Sequence, residues 1–181
     1  MVESVAKRNG HREERGQRKK RQVIDAASIE RLRSQHETAL SQLFMAIALD
    51  PAAGFFHPHE FSAAEAARVC RYTGEDHYFG ACHEGQIVAY AMLRGWDEGF
   101  TVPSLGIYLA PRVRGTGLAR RMMNYLHEVS RSKYSPQIRL KVYPANTAAL
   151  ELYRKLGYTF PEYPGEDGQL LGLLDLANTC G

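Results

Sequence analysis

Cysteine is scarce: Cys70, Cys82 and Cys180 are the only three in 181 residues. An odd, scattered set of this kind excludes a disulfide-stapled scaffold and points to reduced thiols in a cytosolic protein. Nor do Cys70, His77, Cys82 and His83 reproduce the paired Cys-x2-Cys spacing of a zinc site, so no metal is expected. No run of about 18 apolar residues occurs, and membrane insertion is not expected. The polar N-terminus has no apolar h-region, unlike a secretory signal. A Gly-x4-Gly-Lys-Ser/Thr phosphate loop and a Gly-x-Ser-x-Gly nucleophile elbow are both missing. Trp96 is the single tryptophan.

Charge is unevenly spread. Residues 1–22 hold eight of the 23 basic and three of the 20 acidic residues, so this segment carries +5 and the remainder −2. Such a tail suits an anionic surface, but it has no interleaved aromatics on which bases could stack. We read 1–26 as a disordered basic tail, with nucleic acid disfavoured as a partner, and 27–181 as one folded domain.

Within that domain the periodicity predicts a strand over 28–33 and a helix over 36–49 that Asp50-Pro51 ends. An aromatic, proline-stiffened loop follows over 52–61. Ser62 and Glu65 make a capping-box start for a helix over 63–71. Strands over 77–83 and 86–93 flank a Glu84-Gly85 hairpin, and a third spans 101–109. Gly106 in that strand signals a bulge or a close backbone approach. A helix over 116–132, a strand over 138–143, a helix from Asn146 to Gly157 and strands over 158–162 and 169–176 complete the chain. The order β-α-α-β-β-β-α-β-α-β-β is mixed α/β.

The most informative run is Arg112-Val113-Arg114-Gly115-Thr116-Gly117-Leu118-Ala119-Arg120-Arg121. A strand enters it and a helix leaves it. Its glycines let backbone approach a ligand, and the helix start offers unpaired N–H groups. Cations at Arg120 and Arg121 oppose the positive helix end unless an anion sits there too, which indicates a phosphate or pyrophosphate site. A dinucleotide fingerprint needs a small residue where Arg120 stands, and so fails. What remains is Arg/Gln-x-x-Gly-x-Gly/Ala, filled by Arg112, Gly115 and Gly117. Some 30 residues on, Asn146-x-x-Ala149-x-x-x-Tyr153-x-x-x-Gly157-Tyr158 follows. Together the two motifs resemble those of the GNAT superfamily of acetyl-CoA-dependent N-acetyltransferases, with Tyr158 in place of the usual Phe.

That resemblance implies a single-domain fold with a central mixed sheet, a splayed strand pair and about four helices. It implies acetyl-CoA in the splayed gap, with Ile107, Tyr108 and Leu109 offering backbone groups to it. Arg112, Arg114, Gly115, Thr116, Gly117, Leu118, Ala119 and Arg120 would wrap the pyrophosphate. Asn146 would contact the cofactor arm, and Tyr153 would protonate the departing thiolate. On spacing alone, Tyr153 shares a helix face with Ala149, Leu152 and Leu156 and equally suits a core.

The acceptor amine must be neutral to attack. Deprotonating a lysine-like amine at pH 7 costs roughly 4.6 kcal/mol, and an α-amine about 1.4 kcal/mol. Candidate bases are His57, His59, Glu60, Asp97 and Glu98. Arg94 and Trp96, beside Asp97 and Glu98, are candidates for holding the acceptor, Trp96 by stacking and Arg94 by binding a phosphate. The runs 55–61 and 93–99 are loosely similar to those of GNAT members that modify amino sugars. The expected acceptor is therefore a small primary amine, a nucleotide-linked amino sugar among the choices. Competing readings are an acetyltransferase for protein N-termini or lysines and a non-catalytic acyl-CoA-binding module. A homodimer is left open.

Overall fold

The computed structural model describes residues 27–177; the basic segment 1–26 and Cys180 lie outside them. Six strands form one sheet in the order β1 to β6: Ser28–Arg31, His77–His83, Gln86–Arg94, Ser104–Leu109, Gln137–Val142 and Leu170–Asp175. Every neighbouring pair is antiparallel except β4 and β5, which run parallel. Four helices cover the sheet: α1 Glu37–Ala48, α2 Ala63–Cys70, α3 Leu118–Ser132 and α4 Thr147–Lys155. No helix among the described residues is long and apolar enough to cross a membrane.

Local chemistry explains most boundaries. The Ser62 hydroxyl accepts the Glu65 amide at 3.1 Å and starts α2. Glu84 and Gly85 both have positive φ, 50° and 74°, the geometry that a two-residue hairpin turn needs to match strand twist. Three expectations change. The strand expected over 101–109 begins only at Ser104, after Pro103, which has no N–H for a ladder. The strand expected over 158–162 does not form: Thr159 alone bridges Leu173, and Pro161 and Pro164 follow it at once. Gly106 carries no bulge, because the β3–β4 register runs unbroken from Ala89↔Leu109 to Arg94↔Ser104. It marks the other alternative, a close approach: a Cβ there would sit 2.6 Å from the Met92 methyl and 3.2 Å from the Phe56 ring.

The sheet has two different faces. Tyr78, Tyr90, Met92, Arg94, Ser104, Gly106 and Tyr108 point to one side in this register. There Phe44 of α1 meets Tyr90 edge-on, with ring centroids 5.1 Å apart. The alternate residues, among them Phe79, Leu93 and Leu105, face α3, where Phe79 meets Tyr125 at 5.4 Å. Gly157, just after α4, packs toward Leu174 on this same side. Thus α1 and α2 lie on one face, and α3 and α4 on the other.

β4 and β5 part almost at once. They share only the pairs Ser104↔Arg139 and Leu105↔Leu140, although each strand runs on. Beyond Leu105 a gap opens between them toward their C-terminal ends. This is the splayed pair expected from the sequence.

One buried pair ties the helical layer together. His127 of α3 lies 2.9 Å through Nε2 from the Tyr158 hydroxyl. Burial, with Arg131 beside it, lowers His127 from 6.5 to about 4. Between those two values the unfolded chain binds the extra proton, so stability falls as pH drops through that window. Urea unfolding should show a loss of order 2 kcal/mol from this group between pH 7 and 4.5. His127→Gln, which can still accept from Tyr158, should lose correspondingly less; equal losses in both proteins would contradict the assignment.

Candidate active site

The segment from β4 into α3 builds one end of the site. Pro111–Val113 forms a single 3-10 turn, and Gly115 and Gly117 then take φ of 70° and 90°. Only glycine enters that left-handed region freely, so the chain can double back and start α3 at Leu118. Thr116 is buried; its hydroxyl donates to the Val113 carbonyl at 2.6 Å and accepts weakly from the Leu118 amide at 3.3 Å. The first helical bond beyond the cap runs from the Arg121 amide to the Gly117 carbonyl. The Ala119 and Arg120 amides precede it and point out of the helix start, as an anion site requires.

The cations nearby divide. Arg120 is exposed in the first turn of α3. Arg112 turns away and donates to Gln86 Oε1 at 2.7 Å. Arg114 is drawn back along β4: its Nε donates to the Leu109 carbonyl at 3.0 Å, and its guanidinium pairs with Asp50 and lies over the Tyr108 ring. Asp50 also accepts the Tyr108 hydroxyl at 2.7 Å. Arg112 and Arg114 are therefore held on protein partners, and what the turn could offer an anion is its backbone amides and Arg120.

Backbone direction along β4 is set by alternation. The Ala110 amide bonds the Val88 carbonyl across the β3–β4 register at 2.9 Å. Alternate antiparallel pairs exchange such bonds, so Tyr108 spends its N–H and C=O on Tyr90. This corrects the expectation for Tyr108. Ile107 and Leu109 turn theirs the other way, into the gap left by β5. The Leu109 carbonyl is taken by Arg114. The two amides and the Ile107 carbonyl face the gap.

On the far side of the gap, Asn146 caps α4, its Oδ1 accepting the Ala149 amide at 3.3 Å, which leaves its NH2 group to donate. Tyr153 is buried on α4, 5.8 Å from the Tyr158 ring, and its hydroxyl makes no hydrogen bond among the described residues. Burial pushes the phenol up to about 12. It stays protonated at any working pH and can donate. Full transfer to a thiolate of ordinary pKa near 8.5 would be uphill by roughly 5 kcal/mol. Hydrogen-bond donation to a developing sulfur charge is the role this phenol can perform, with transfer following as burial raises the thiolate as well.

The acceptor candidates do not form one cluster. Trp96 has the Lys133 ammonium over its face at 5.5 Å and His77 against its edge, which places it by the C-terminus of α3 on the α3/α4 face. Helix α3, with 15 residues, puts that end about 22 Å from the glycine turn. Trp96 is thus not a stacking surface beside His57. Asp97 accepts the Tyr72 hydroxyl and the Glu75 and Asp76 amides at 2.9 and 3.2 Å, a turn-fixing role rather than that of a base. Glu98 is exposed in the same turn.

His59 is also corrected as a base. Its Nδ1–H donates to the Glu60 carbonyl at 2.8 Å, leaving Nε2 to accept from the Tyr90 hydroxyl at 2.9 Å. Burial lowers its pKa, and no ring nitrogen is left for an amine. Glu65 stands 3.5 Å from the same ring. Burial pushes its carboxyl up, but the Arg68 fork at 2.6 and 2.8 Å outweighs this and holds it below the ordinary value.

Of the candidate bases, His57 lies at the opening of the gap. It is exposed, 3.3 Å through Nε2 from the Tyr143 hydroxyl just beyond β5, and the Phe55 ring lies beside Tyr143. The loop after α1 therefore reaches both diverging ends: Asp50 holds Tyr108 and Arg114 beside β4, while Phe55 and His57 meet Tyr143 beside β5. Phe56 fills the space over Gly106 between them. Asp50 and Tyr143 carry no local sequence signal for the site, since each acts through contacts more than 50 residues away in sequence.

Glu30, His36 and Cys82 bring possible metal-ligating atoms within 4.8 Å of one another. The Arg33 amide donates to His36 Nδ1 at 3.0 Å, so the neutral ring keeps its proton on Nε2, the atom facing Glu30. That arrangement suits a His–Glu hydrogen bond better than a metal.

Comparison with known proteins agrees with this geometry. The Acetyltransferase (GNAT) family model matches residues 38–158. The chain belongs to the GNAT acetyltransferase family. Its fold is similar to the GNAT domain of PAT from S. lividans, at TM-score 0.71 and 18% identity over 82% of this chain and 90% of that one. It is similar to yncA from Salmonella typhimurium, solved with its cofactor acetyl-CoA, at TM-score 0.67 and 17% identity over 86% and 97%. The ribosomal-protein-S18-alanine N-acetyltransferase of Escherichia coli matches at TM-score 0.61 and 21% identity over 83% and 94%. GNAT enzymes draw on acetyl-CoA, and the glycine turn, the free amides of α3 and the gap-facing groups of β4 suit its pyrophosphate and pantetheine.

Gly117→Asp tests that placement. Gly117→Asn is its control: both side chains bear the same strain at a φ of 90°, but only the carboxylate repels a pyrophosphate. Both variants should melt at a similar, lowered temperature, and calorimetry should show acetyl-CoA binding at least tenfold weaker in Gly117→Asp than in Gly117→Asn; equal affinity in the two would remove the pyrophosphate from this turn.

Proposed function

We propose that this GNAT enzyme transfers the acetyl group of acetyl-CoA to the primary amine of a small molecule, by direct attack in a ternary complex. The observation that carries the reading is the parting of β4 and β5 after two residue pairs, which leaves the Ile107 and Leu109 amides facing the gap. Acetyl-CoA bound there supplies an activated thioester carbonyl. An Ile107 or Leu109 amide donates to the carbonyl oxygen as negative charge grows on it, the moment at which a fixed N–H stabilises most. The amine approaches from the α1/α2 face, past Phe56. As the C–N bond forms and the C–S bond breaks, Tyr153 donates toward the sulfur. His57, or water beside it, takes the proton that the amine loses.

A small acceptor is favoured over a protein chain because the loop after α1 crosses the gap and Phe56 fills the approach over Gly106. A nucleotide-linked amino sugar has lost Trp96 as its stacking surface, so the reading rests on the amine and not on a base or sugar ring.

A panel of primary amines assayed with acetyl-CoA by thiol release tests the proposal. Small amines should turn over, and Tyr153→Phe should lower kcat tenfold or more with KM for acetyl-CoA little changed. Equal kcat in the two proteins would return Tyr153 to a packing role. A peptide with a free N-terminus acetylated far faster than every small amine would replace the acceptor class.

A further inference from the structure

The register sets three polar residues in one row across the strands where the gap begins. Arg94 of β3 pairs with Ser104 of β4, and Ser104 pairs with Arg139 of β5. Paired residues project to the same face, here the α1/α2 face from which an acceptor would come. The row lies one step before Gly106, so it sits beside the start of the gap. The Cα atoms of the two arginines stand roughly 10 Å apart, two strand spacings.

Their side chains have different neighbours. The Arg139 guanidinium lies 5.1 Å from the centre of the Phe100 ring, and Phe100 folds back onto Gly95, the residue next to Arg94, through a 2.9 Å amide bond. Arg139 therefore reaches across β4 toward the turn that Arg94 begins. Arg94 has a loose ion pair with Asp76 and no hydrogen bond to it. Arg94 is 36% exposed; its buried Nε makes no hydrogen bond and lies 3.7 Å from Asp76 Oδ2. Asp76 is engaged through Oδ1 by the Gly95 and Trp96 amides at 2.8 and 3.0 Å. Glu65, the other acid that Arg94 senses, is held by Arg68, and Asp97 by Tyr72. Among the described residues Arg139 has its ring contact with Phe100 but no ion pair.

We propose that Arg94, Ser104 and Arg139 form an oxyanion-binding row that holds a carboxylate or phosphate on the acceptor, so that the substrate class is an anionic primary amine. Two guanidinium forks and a hydroxyl between them suit the planar oxygens of either group. Binding there would leave the amine end of the acceptor beside Phe56, at the edge of the gap. The inference rests on the acetyl-transfer reading for its chemistry but not for its binding.

Two measurements keep those apart. The first is calorimetry of the full chain with CoA, titrated with O-phosphoethanolamine, β-alanine and their counterparts without the anionic group, ethanolamine and β-alaninamide. At least one anionic compound should bind at least tenfold tighter than its counterpart, and Arg94→Gln/Arg139→Gln should lose that margin. Which of the two binds tells phosphate from carboxylate. The second is the kcat/KM ratio within each pair. It should favour the anion and fall about tenfold in Arg139→Gln, with Arg139→Lys falling less. A merely structural role would lower both members together and leave the ratio intact. Equal binding within both pairs, or a preference that survives the double substitution, overturns the row. Arginine-dependent anion binding without turnover of any amine would keep the row and overturn acetyl transfer.

Discussion

Two residue pairs hold β4 to β5, and the rest of the molecule is arranged around their separation. A buried strand edge leaves amides and carbonyls without partners, which a folded chain does not tolerate unless something else satisfies them. On β4 the alternation of the β3 ladder concentrates these groups at Ile107 and Leu109. The protein satisfies one itself, through Arg114 on the Leu109 carbonyl, and leaves the others turned into the gap. The gap is thus a strand-shaped vacancy lined with backbone donors and acceptors, suited to an extended arm with amide groups such as pantetheine. Helix α3 stands at its open end, with amides before its first helical bond turned outward.

The same separation makes the loop after α1 necessary. Parting strands would otherwise expose the aromatic floor of Tyr90 and Tyr108. Asp50 fixes one end of the loop to β4, Tyr143 meets the other, and Phe56 covers Gly106 because that position has no side chain. His59 anchors the loop from beneath through Tyr90, at the cost of both its ring nitrogens. A histidine that locks a loop in this way cannot also serve as a base, so burial and hydrogen bonding, rather than residue type, set His59 apart from the exposed His57.

Charge is distributed along the gap in two places. At its open end lie the outward amides of α3 and the exposed Arg120. At its closed end Arg94 and Arg139 flank Ser104 on the α1/α2 face. Arg112 and Arg114, nearest to the glycine turn in sequence, are held by Gln86, Leu109 and Asp50 instead. Proximity in sequence to the glycine turn therefore says little about where a guanidinium goes, because each of these long side chains reaches a hydrogen-bonding partner of its own.

What the sequence by itself determined was the local part. Helix limits at Asp50-Pro51, Ser62 and Asn146, the Glu84-Gly85 hairpin and the glycine turn at 115–117 were legible because each depends on a residue's own backbone preferences or on a cap three residues away. The family was legible for the same reason, since both of its motifs are short and local. Only the tertiary structure decided what depended on register. It showed that Tyr108 spends its backbone on β3, that Trp96 faces α3 and not the acceptor side, and that the strand expected after Gly157 reduces to one bridge. It also brought Arg94 and Arg139, 45 residues apart, to either side of Ser104. In sequence Arg139 is one polar position in an alternating strand, indistinguishable from a solvated one. Strand pairing selects its neighbours, and that pairing is set by burial across the whole sheet.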